Sequence, residues 1–359
     1  MKIVQLLVTL QKGDAIGNFA LALHKMLLDS GYDAEIYAYN LGNNIKEISI
    51  NNIEHFKNLK SDDLIVYQMC EGHKINALIR KQSCRKMMIY HNFTPAEFFQ
   101  CFGTELYSIQ NLAQQVISSM KDVFDKCIAV SEFNRQNLIT MGYASDKINV
   151  IPLYIEWDDY KKEPDSNTLQ YYNDECVNIL FVGRIVPNKK QEDIIRIFAY
   201  YHKFVNRRSR LFVIGSPFVQ NYNTALREYI DYMGISDSVI MPGHSTFSEI
   251  LAYYKCADIF LCMSEHEGFG VPLVEAMLFD VPIIAYDSSA ISDTLGDSGV
   301  LVDNKEPKKI AEIISNVIED DSFTDEIILR QRKRLTDFEY NKLKTRYLNE
   351  IKSMIGERQ

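Results

Sequence analysis

Short apolar runs alternate with amphipathic stretches along nearly the whole chain, and the alternation lapses once, at residues 156–175. Residues 3–9 form an apolar run of the kind a parallel strand needs when both its faces are buried. Residues 13–18 read as a loop, 19–29 carry apolar residues at helical spacing, and Gly31 stops that helix. Further strands are expected at 35–39, 64–68, 86–90 and 126–130, with helices at 74–80 and 112–124 between them. After Ile151-Pro152 comes a polar connector holding Trp157, Asp158, Asp159, Lys161, Lys162 and Pro164. A second series then runs through strands at 177–183, 210–214, 239–241, 259–263 and 282–286. Its helices are a segment from Asp193 and residues 224–233, 247–255 and 272–279. Two such β-α-β series predict an α/β protein with two doubly wound domains, each a parallel sheet covered by helices. Ligands of such sheets sit outside the carboxyl ends of the strands, so a site in the cleft between the domains is expected.

The composition agrees. The chain has 359 residues, enough for two domains of ~100–200 residues each. It carries 39 Lys and Arg against 48 Asp and Glu, a net charge of −9. A sequence-independent nucleic-acid binder is ordinarily basic, so no nucleic-acid partner is expected. The seven cysteines include no C-x-x-C, so neither a zinc ribbon nor a thioredoxin-type redox motif is indicated. The first residues lack the pattern of a signal peptide, and no stretch approaches the ~20 apolar residues of a membrane helix. A cytoplasmic protein is the expectation, with attachment to a membrane surface left open. The basic run Arg330, Arg332, Lys333 and Arg334 reads as a solvated helix face or as a contact to anionic lipid.

Two loops carry chemistry. In Gly183-Arg184-Ile185-Val186-Pro187-Asn188-Lys189 a strand ends at glycine and two spaced cations follow. Arg184 is a planar fork suited to phosphate oxygens, and Lys189 a compact charge suited to the same group. Together they can neutralise a diphosphate without a metal, although the pattern alone also fits a solvated basic loop. In Ser264-Glu265-His266-Glu267-Gly268-Phe269-Gly270-Val271-Pro272, Pro272 is expected as the first residue of a helix that contains Glu275. Glycines before a helix start let backbone amides approach a ligand, and free amides there suit anions and sugar hydroxyls. Glu267 and Glu275 can accept hydrogen bonds from different hydroxyls of one ligand. A single glutamate in this place also serves to cap the helix dipole.

Glu267-Gly268-Phe269-Gly270 with Glu275 resembles the Glu-x7-Glu motif of the family 4 retaining glycosyltransferases. Gly183-Arg184 with Lys189 is similar to that family's diphosphate-binding pair. Residues 256–260, Val281-Pro282-Ile283-Ile284-Ala285, Val130-Ser131-Glu132-Phe133 and Val150-Ile151-Pro152 resemble its flanking segments. The resemblance implies the GT-B fold, with two Rossmann-like domains and an interdomain cleft. It divides the chain into an acceptor-side domain at 1–155, a linker at 156–175 and a nucleotide-sugar domain at 176–336. A helix at 337–359 is expected to return to the first domain.

The resemblance also assigns roles. Glu267, with the amides of Gly268, Phe269, Gly270 and Val271, faces the donor sugar, and Glu275 holds the ribose. His91 matches the family's active-site histidine, with a hydrogen bond to the donor sugar as its expected work. The other six histidines have weaker claims. The loop Gly13-Asp14-Ala15-Ile16-Gly17-Asn18 is not G-x-G-x-x-G and resembles the family's first-domain glycine loop. Gly17 is expected to let the backbone approach phosphate and acceptor, and Asp14 to touch the acceptor; a plain turn is the other reading. Four positions depart from the family pattern: Asp280 for glycine, Leu153-Tyr154 for Asn-Gly, and Asp293 for glutamate.

The function implied is a metal-independent, retaining hexosyltransferase with no cofactor and no metal site. Its expected partners are a nucleoside diphosphate sugar as donor and a saccharide or lipid-linked saccharide as acceptor. Bacterial polysaccharide or glycolipid assembly is the expected setting, with peripheral contact to the inner membrane surface left open. Two alternatives stand beside it: a non-catalytic GT-B subunit supporting a partner enzyme, and a GT-B nucleotide-sugar epimerase. Phe93, Phe98, Phe99, Phe102 and Tyr107 read as core packing, an apolar acceptor wall or a membrane-facing patch.

Overall fold

The computed structural model describes residues 1–42, 45 and 49–356. The chain divides into one unit of Met1–Glu156 with Asp337–Gln359 and a second unit of Trp157–Thr336.

The first unit runs β1 (Ile3–Leu10), α1 (Ala15–Asp29), β2 (Ala34–Leu41), β3 (Ile50–Asn52), β4 (Leu64–Met69) and α2 (Ile75–Arg80). It continues through β5 (Arg85–Tyr90), α3 (Thr104–Ser119), β6 (Lys126–Ala129), α4 (Glu132–Thr140) and β7 (Ile148–Val150). Its described strands form one sheet in the order β3-β2-β1-β4-β5-β6-β7, parallel throughout. Alternate side chains serve opposite faces. Val4, Leu6, Val8, Ile65, Tyr67, Met69, Met88 and Tyr90 build one core, and Leu7, Leu10, Ala20, Ile36 and Ala38 build the other.

Two boundaries differ from expectation. Helix α1 begins at Ala15, because the Asp14 side chain accepts from the amides of Ile16 and Gly17 and caps it there. Gly17 thus belongs to a helix rather than a loop. Helix α3 begins eight residues before the expected 112, since its exposed face carries Glu105, Ile109 and Leu112 and blurs the amphipathic start.

The second unit opens with a 3-10 turn at Trp157–Lys161, followed by α5 (Ser166–Tyr172), and both lie inside the segment read as a linker. Asp165 caps that helix, the Asp165 amide donates to the Ser248 carbonyl at 2.9 Å, and the Tyr172 ring packs 4.8 Å from Phe212. Residues 157–175 therefore fold onto the second unit; polar composition hid them because their contacts are tertiary. Then follow β8 (Val177–Val182), α6 (Gln191–Phe204), β9 (Ser209–Ile214), α7 (Gln220–Tyr232), β10 (Val239–Ile240) and α8 (Phe247–Cys256). Next come β11 (Ile259–Cys262), α9 (Val271–Leu278), β12 (Ile283–Tyr286), α10 (Ile291–Leu295), β13 (Val300–Val302), α11 (Pro307–Glu319) and α12 (Asp321–Leu335). The sheet order is β10-β9-β8-β11-β12-β13, again parallel.

The chain then returns to the first unit as α13 (Tyr340–Ile355). Its buried Tyr347 donates to the carbonyls of Ile151 and Pro152 at 3.2 and 3.0 Å, and Lys126 pairs with Glu350 at 2.6 Å. The Tyr340 ring packs at a tilt against the buried Tyr154, 4.7 Å between centroids, so Tyr154 supplies packing for this helix. Residues 357–359 of the expected C-terminal segment lie outside the described residues. No described helix is long and apolar enough to cross a membrane.

The basic run belongs to α12 and is largely consumed inside the second unit. Arg330 pairs with Glu326, Arg332 grips Asp280 at 2.7 and 2.8 Å, and Arg334 donates to the carbonyls of Asp293 and Thr294. Asp280 itself sits at φ 54°, the left-handed region that a glycine adopts freely. None of the five aromatics after His91 is exposed: Phe99 is buried, and Phe93 packs against the first core.

Candidate active site

In each sheet the strand order reverses at an internal pair, β1/β4 in the first and β8/β11 in the second. Connections leave such a pair in opposite directions, which opens a crevice at the carboxyl ends. The loop 183–190 follows β8 and the loop 263–270 follows β11, so the reversal places two segments far apart in sequence side by side.

Hydrogen bonds and ion pairs stitch them together. The Glu265 amide donates to the Asn188 carbonyl at 2.8 Å, and Asn188 Nδ2 donates to the His266 carbonyl at 2.9 Å. The Lys189 ammonium pairs with the Glu267 carboxylate, and both side chains are largely buried. Lys190 adopts a left-handed conformation, and its ammonium lies 3.5 Å from Glu265, which also pairs with Lys305 at 2.8 Å. Arg184, by contrast, is exposed, and no carboxylate of the described residues pairs with it. Its guanidinium lies 5.3 Å from the centroid of the Phe218 ring.

The backbone here requires two glycines. The stretch 183–185 runs along 214–218, with the Ile185 amide donating to the Ser216 carbonyl at 3.0 Å. A Cβ on Gly215 would stand 1.9 Å from the Gly183 carbonyl oxygen, so only glycine fits at 215. Gly270 caps α9 at φ 88°, and a Cβ there would meet Leu273 at 2.9 Å. The helix starts at Val271, which makes Pro272 its second residue rather than its first. The Glu267–Phe269 turn is held from the α10 side. The Glu267 amide donates to the Ser289 hydroxyl at 2.8 Å, and Thr294 donates its hydroxyl to the Phe269 carbonyl.

Glu275 lies one turn into α9. One of its oxygens accepts from the Tyr160 hydroxyl at 2.5 Å and the other from the Tyr254 hydroxyl at 2.7 Å. Burial pushes the Glu275 carboxyl above the usual carboxylate range, and the two tyrosine hydrogen bonds oppose that rise. Burial, then the adjacent carboxylate, pushes both tyrosines upward, so they stay protonated as donors.

In the first unit His91 follows β5, with 8% of its surface exposed. Its Nε2 lies 2.7 Å from Gln68 Oε1, while its Nδ1 is buried with no hydrogen-bond partner. Burial pushes its pKa down to about 3, so the ring is neutral at physiological pH. Phe19 meets the ring edge-on at 5.7 Å, and Tyr347 of α13 packs behind Phe19 at 5.4 Å. Asn92, at φ 75°, turns the chain away after His91, and its side-chain amide donates to Asn134 Oδ1 at 2.7 Å.

The glycine loop differs from expectation. A Cβ on Gly17 would stand 2.1 Å from the Gln11 carbonyl oxygen, so the close backbone approach it permits is to residue 11 of its own chain. The Asp14 carboxylate is committed to capping α1, and Gly13 donates to Asn18 Oδ1 at 2.9 Å.

Within the second unit the structure thus gathers Gly183, Arg184, Lys189, Glu267, Gly268, Phe269, Gly270, Val271 and Glu275 around the ends of β8 and β11, while His91, Asp14 and Gly17 belong to the first unit. Tyr160, Tyr254, Gly215, Ser289 and Thr294 were missed. Gln5 and Gln68 were missed as well, although a polar amide inside an all-buried strand is a visible signal.

The profile of the family described as glycosyl transferases group 1 matches residues 172–334. The chain is 27% identical over 258 residues to the capsular polysaccharide biosynthesis glycosyltransferase CapM of Staphylococcus aureus, covering 67% of this chain and 66% of that one. It is 24% identical over 229 residues to the O-antigen chain mannosyltransferase B of Escherichia coli, covering 63% and 60%. It therefore spans somewhat under two thirds of the length of these relatives. The crystal structure of Anabaena HepE in complex with UDP-glucose matches with a TM-score of 0.77 at 18% identity, over 98% of this chain and 100% of that one. Two parallel-sheet units, a profile match that spans the stitched loops and relatives of this kind point the same way: the chain has the GT-B fold, its residues 172–334 match the glycosyl transferases group 1 family, and it is similar to bacterial surface-polysaccharide glycosyltransferases.

Proposed function

We propose that this protein is a retaining glycosyltransferase that moves a sugar from a nucleoside diphosphate sugar to an acceptor hydroxyl. The product belongs to bacterial polysaccharide or glycolipid assembly, and the acceptor is a saccharide or lipid-linked saccharide. The observation that carries the reading is the pairing of Lys189 with Glu267 beside the uncompensated Arg184, at the carboxyl ends of β8 and β11. HepE binds UDP-glucose, and CapM and the O-antigen mannosyltransferase are named for polysaccharide work, which supports the donor and product classes.

On this reading the diphosphate replaces Glu267 as the partner of Lys189 and joins Arg184. Glu267 then turns to sugar hydroxyls, together with the amides of residues 268–271. Glu275, already oriented by two tyrosines, accepts from the ribose, and His91 accepts from a sugar hydroxyl. The acceptor oxygen attacks the anomeric carbon on the face from which the diphosphate departs. A carbon–oxygen bond forms to the acceptor, the bond to phosphate breaks, and the acceptor proton passes to the leaving phosphate oxygen. Arg184 and Lys189 stabilise the charge developing there, worth about 3–4 kcal/mol per well-placed donor. No cofactor or metal is needed to balance this step.

The test is a thermal-shift screen of nucleoside diphosphate sugars followed by acceptor trials with the hit. Magnetic resonance of the product should show the donor's anomeric configuration preserved. Inversion at that carbon, or turnover without any acceptor, contradicts the proposal.

A further inference from the structure

A chain of buried amides runs across three adjacent strands behind His91. Gln5 on β1, Gln68 on β4 and His91 after β5 share one face of the sheet, and both glutamines are wholly buried. Gln5 Nε2 donates to the carbonyl of Ala20 in α1 at 3.1 Å. Gln68 Nε2 donates to Gln5 Oε1 at 2.8 Å, and Gln68 Oε1 lies 2.7 Å from His91 Nε2.

The polarity of this chain has one solution. The Ala20 carbonyl can only accept, so Gln5 must present its NH2 to it; the reversed amide would set two oxygens against each other. Gln5 Oε1 is then an acceptor, which compels Gln68 to present its own NH2 on that side. Gln68 Oε1 is therefore what faces His91, and Nε2 must carry the ring proton. A neutral imidazole has one proton, so Nδ1 is bare. That atom is buried without a partner, an acceptor left unsatisfied in a site the fold has otherwise completed.

We propose that Gln5 and Gln68 are positioning residues that lock His91 in the Nε2–H tautomer, so that Nδ1 selects a bound sugar which offers it a hydroxyl donor. The lock is a property of the first unit alone. The ligand rests on the glycosyltransferase reading given above. A hydroxyl satisfies the site; a hydrogen or a fluorine at the same carbon leaves Nδ1 unpaired, because fluorine cannot donate. The anchor is a backbone carbonyl, so the preference is built into the sheet before any ligand arrives.

The experiment uses the full chain with 15N-labelled histidine, with His91→Ala identifying the His91 signals. The expected spectrum has a protonated Nε2 and a bare Nδ1. A proton on Nδ1 overturns the lock. Gln5→Met leaves Gln68 in place but removes what orients its amide, and a mixture of tautomers is expected. The Gln5→Leu/Gln68→Leu double variant removes the pair without leaving an orphan amide and should behave likewise; an unchanged tautomer in both variants overturns the role of the glutamines. For the ligand, UDP-glucose, GDP-mannose and their singly deoxygenated and fluorinated forms are compared. One position should lose roughly 10-fold to 100-fold in kcat/KM equally for deoxy and fluoro forms, and only while His91 is present. A fluoro form that restores activity refutes the hydroxyl requirement. If no nucleoside diphosphate sugar is turned over, the glycosyltransferase reading and the ligand claim fall together, while the spectrum still decides the lock.

Discussion

The Tyr160 hydroxyl donates to a Glu275 carboxylate oxygen across 2.5 Å, joining the first turn of the second unit to the second turn of α9. Tyr160 is wedged between Phe247 and Phe279, so its hydroxyl has little freedom to leave. A glutamate held in this way is preorganised, and a ribose binding to it has less ordering to supply.

Glu275→Ala is therefore expected to weaken binding of free nucleoside diphosphate by roughly 10-fold to 100-fold, the scale of a hydrogen bond to a charged group. Tyr160→Phe should cause a smaller loss in the same direction. Glu267→Ala should spare nucleotide affinity and lower turnover instead. Calorimetric titration with UDP and GDP separates the three; equal affinity losses at Glu267 and Glu275 would contradict the division of labour.

Arg184 is exposed and lies over Phe218 with no carboxylate partner among the described residues, so its removal costs the fold little. Arg184→Ala should leave the melting temperature nearly unchanged and lower kcat about 10²–10³-fold. Turnover by the wild-type protein should survive EDTA. Loss of activity in chelator with recovery on adding Mg²⁺ would show that the cations do not carry the diphosphate charge alone.

His91 makes stability depend on pH. Its folded pKa is lowered to about 3 from an ordinary value of 6.5. Between those values the unfolded chain binds a proton that the folded chain refuses, so stability falls as pH falls through that window. The contribution is complete above the unfolded value and shrinks by at most about 1.4 kcal/mol per pH unit below it. Urea unfolding of wild type and His91→Asn at several pH values should show a steeper acid loss for wild type. Parallel profiles would mean that the ring takes up a proton in the folded state.

Asp280 occupies a left-handed position at φ 54° and is tied down by Arg332. Asp280→Gly should be close to neutral, since glycine relieves the backbone while the exposed pair is lost. Asp280→Val should destabilise by about 1–2 kcal/mol, because a branched Cβ crowds the carbonyl in that conformation. Chemical denaturation compares the two; a valine as stable as the glycine would show that the turn relaxes away from positive φ.

Much of this protein is written locally. Apolar runs such as Leu64–Met69 announce strands buried on both faces, and their alternation with amphipathic helices sets the α/β class. Glycines, a proline and glutamates spaced around the start of α9, with Arg184 and Lys189 after β8, are also local patterns, and each marks a loop at a strand's carboxyl end. Periodicity, however, reports only that a residue is buried, never which residue it meets. That Lys189 meets Glu267 depends on β8 and β11 being neighbours in the sheet, although β9 and β10 lie between them in the chain and the two residues are 78 positions apart. That Tyr160 reaches Glu275 from a stretch with no periodicity is decided by tertiary packing, and that Gln5 meets Gln68 and Gln68 meets His91 is decided by strand order and register. Hydrogen bonds between side chains are set by distances of a few tenths of an ångström across the fold, and those distances exist only once the sheets have closed.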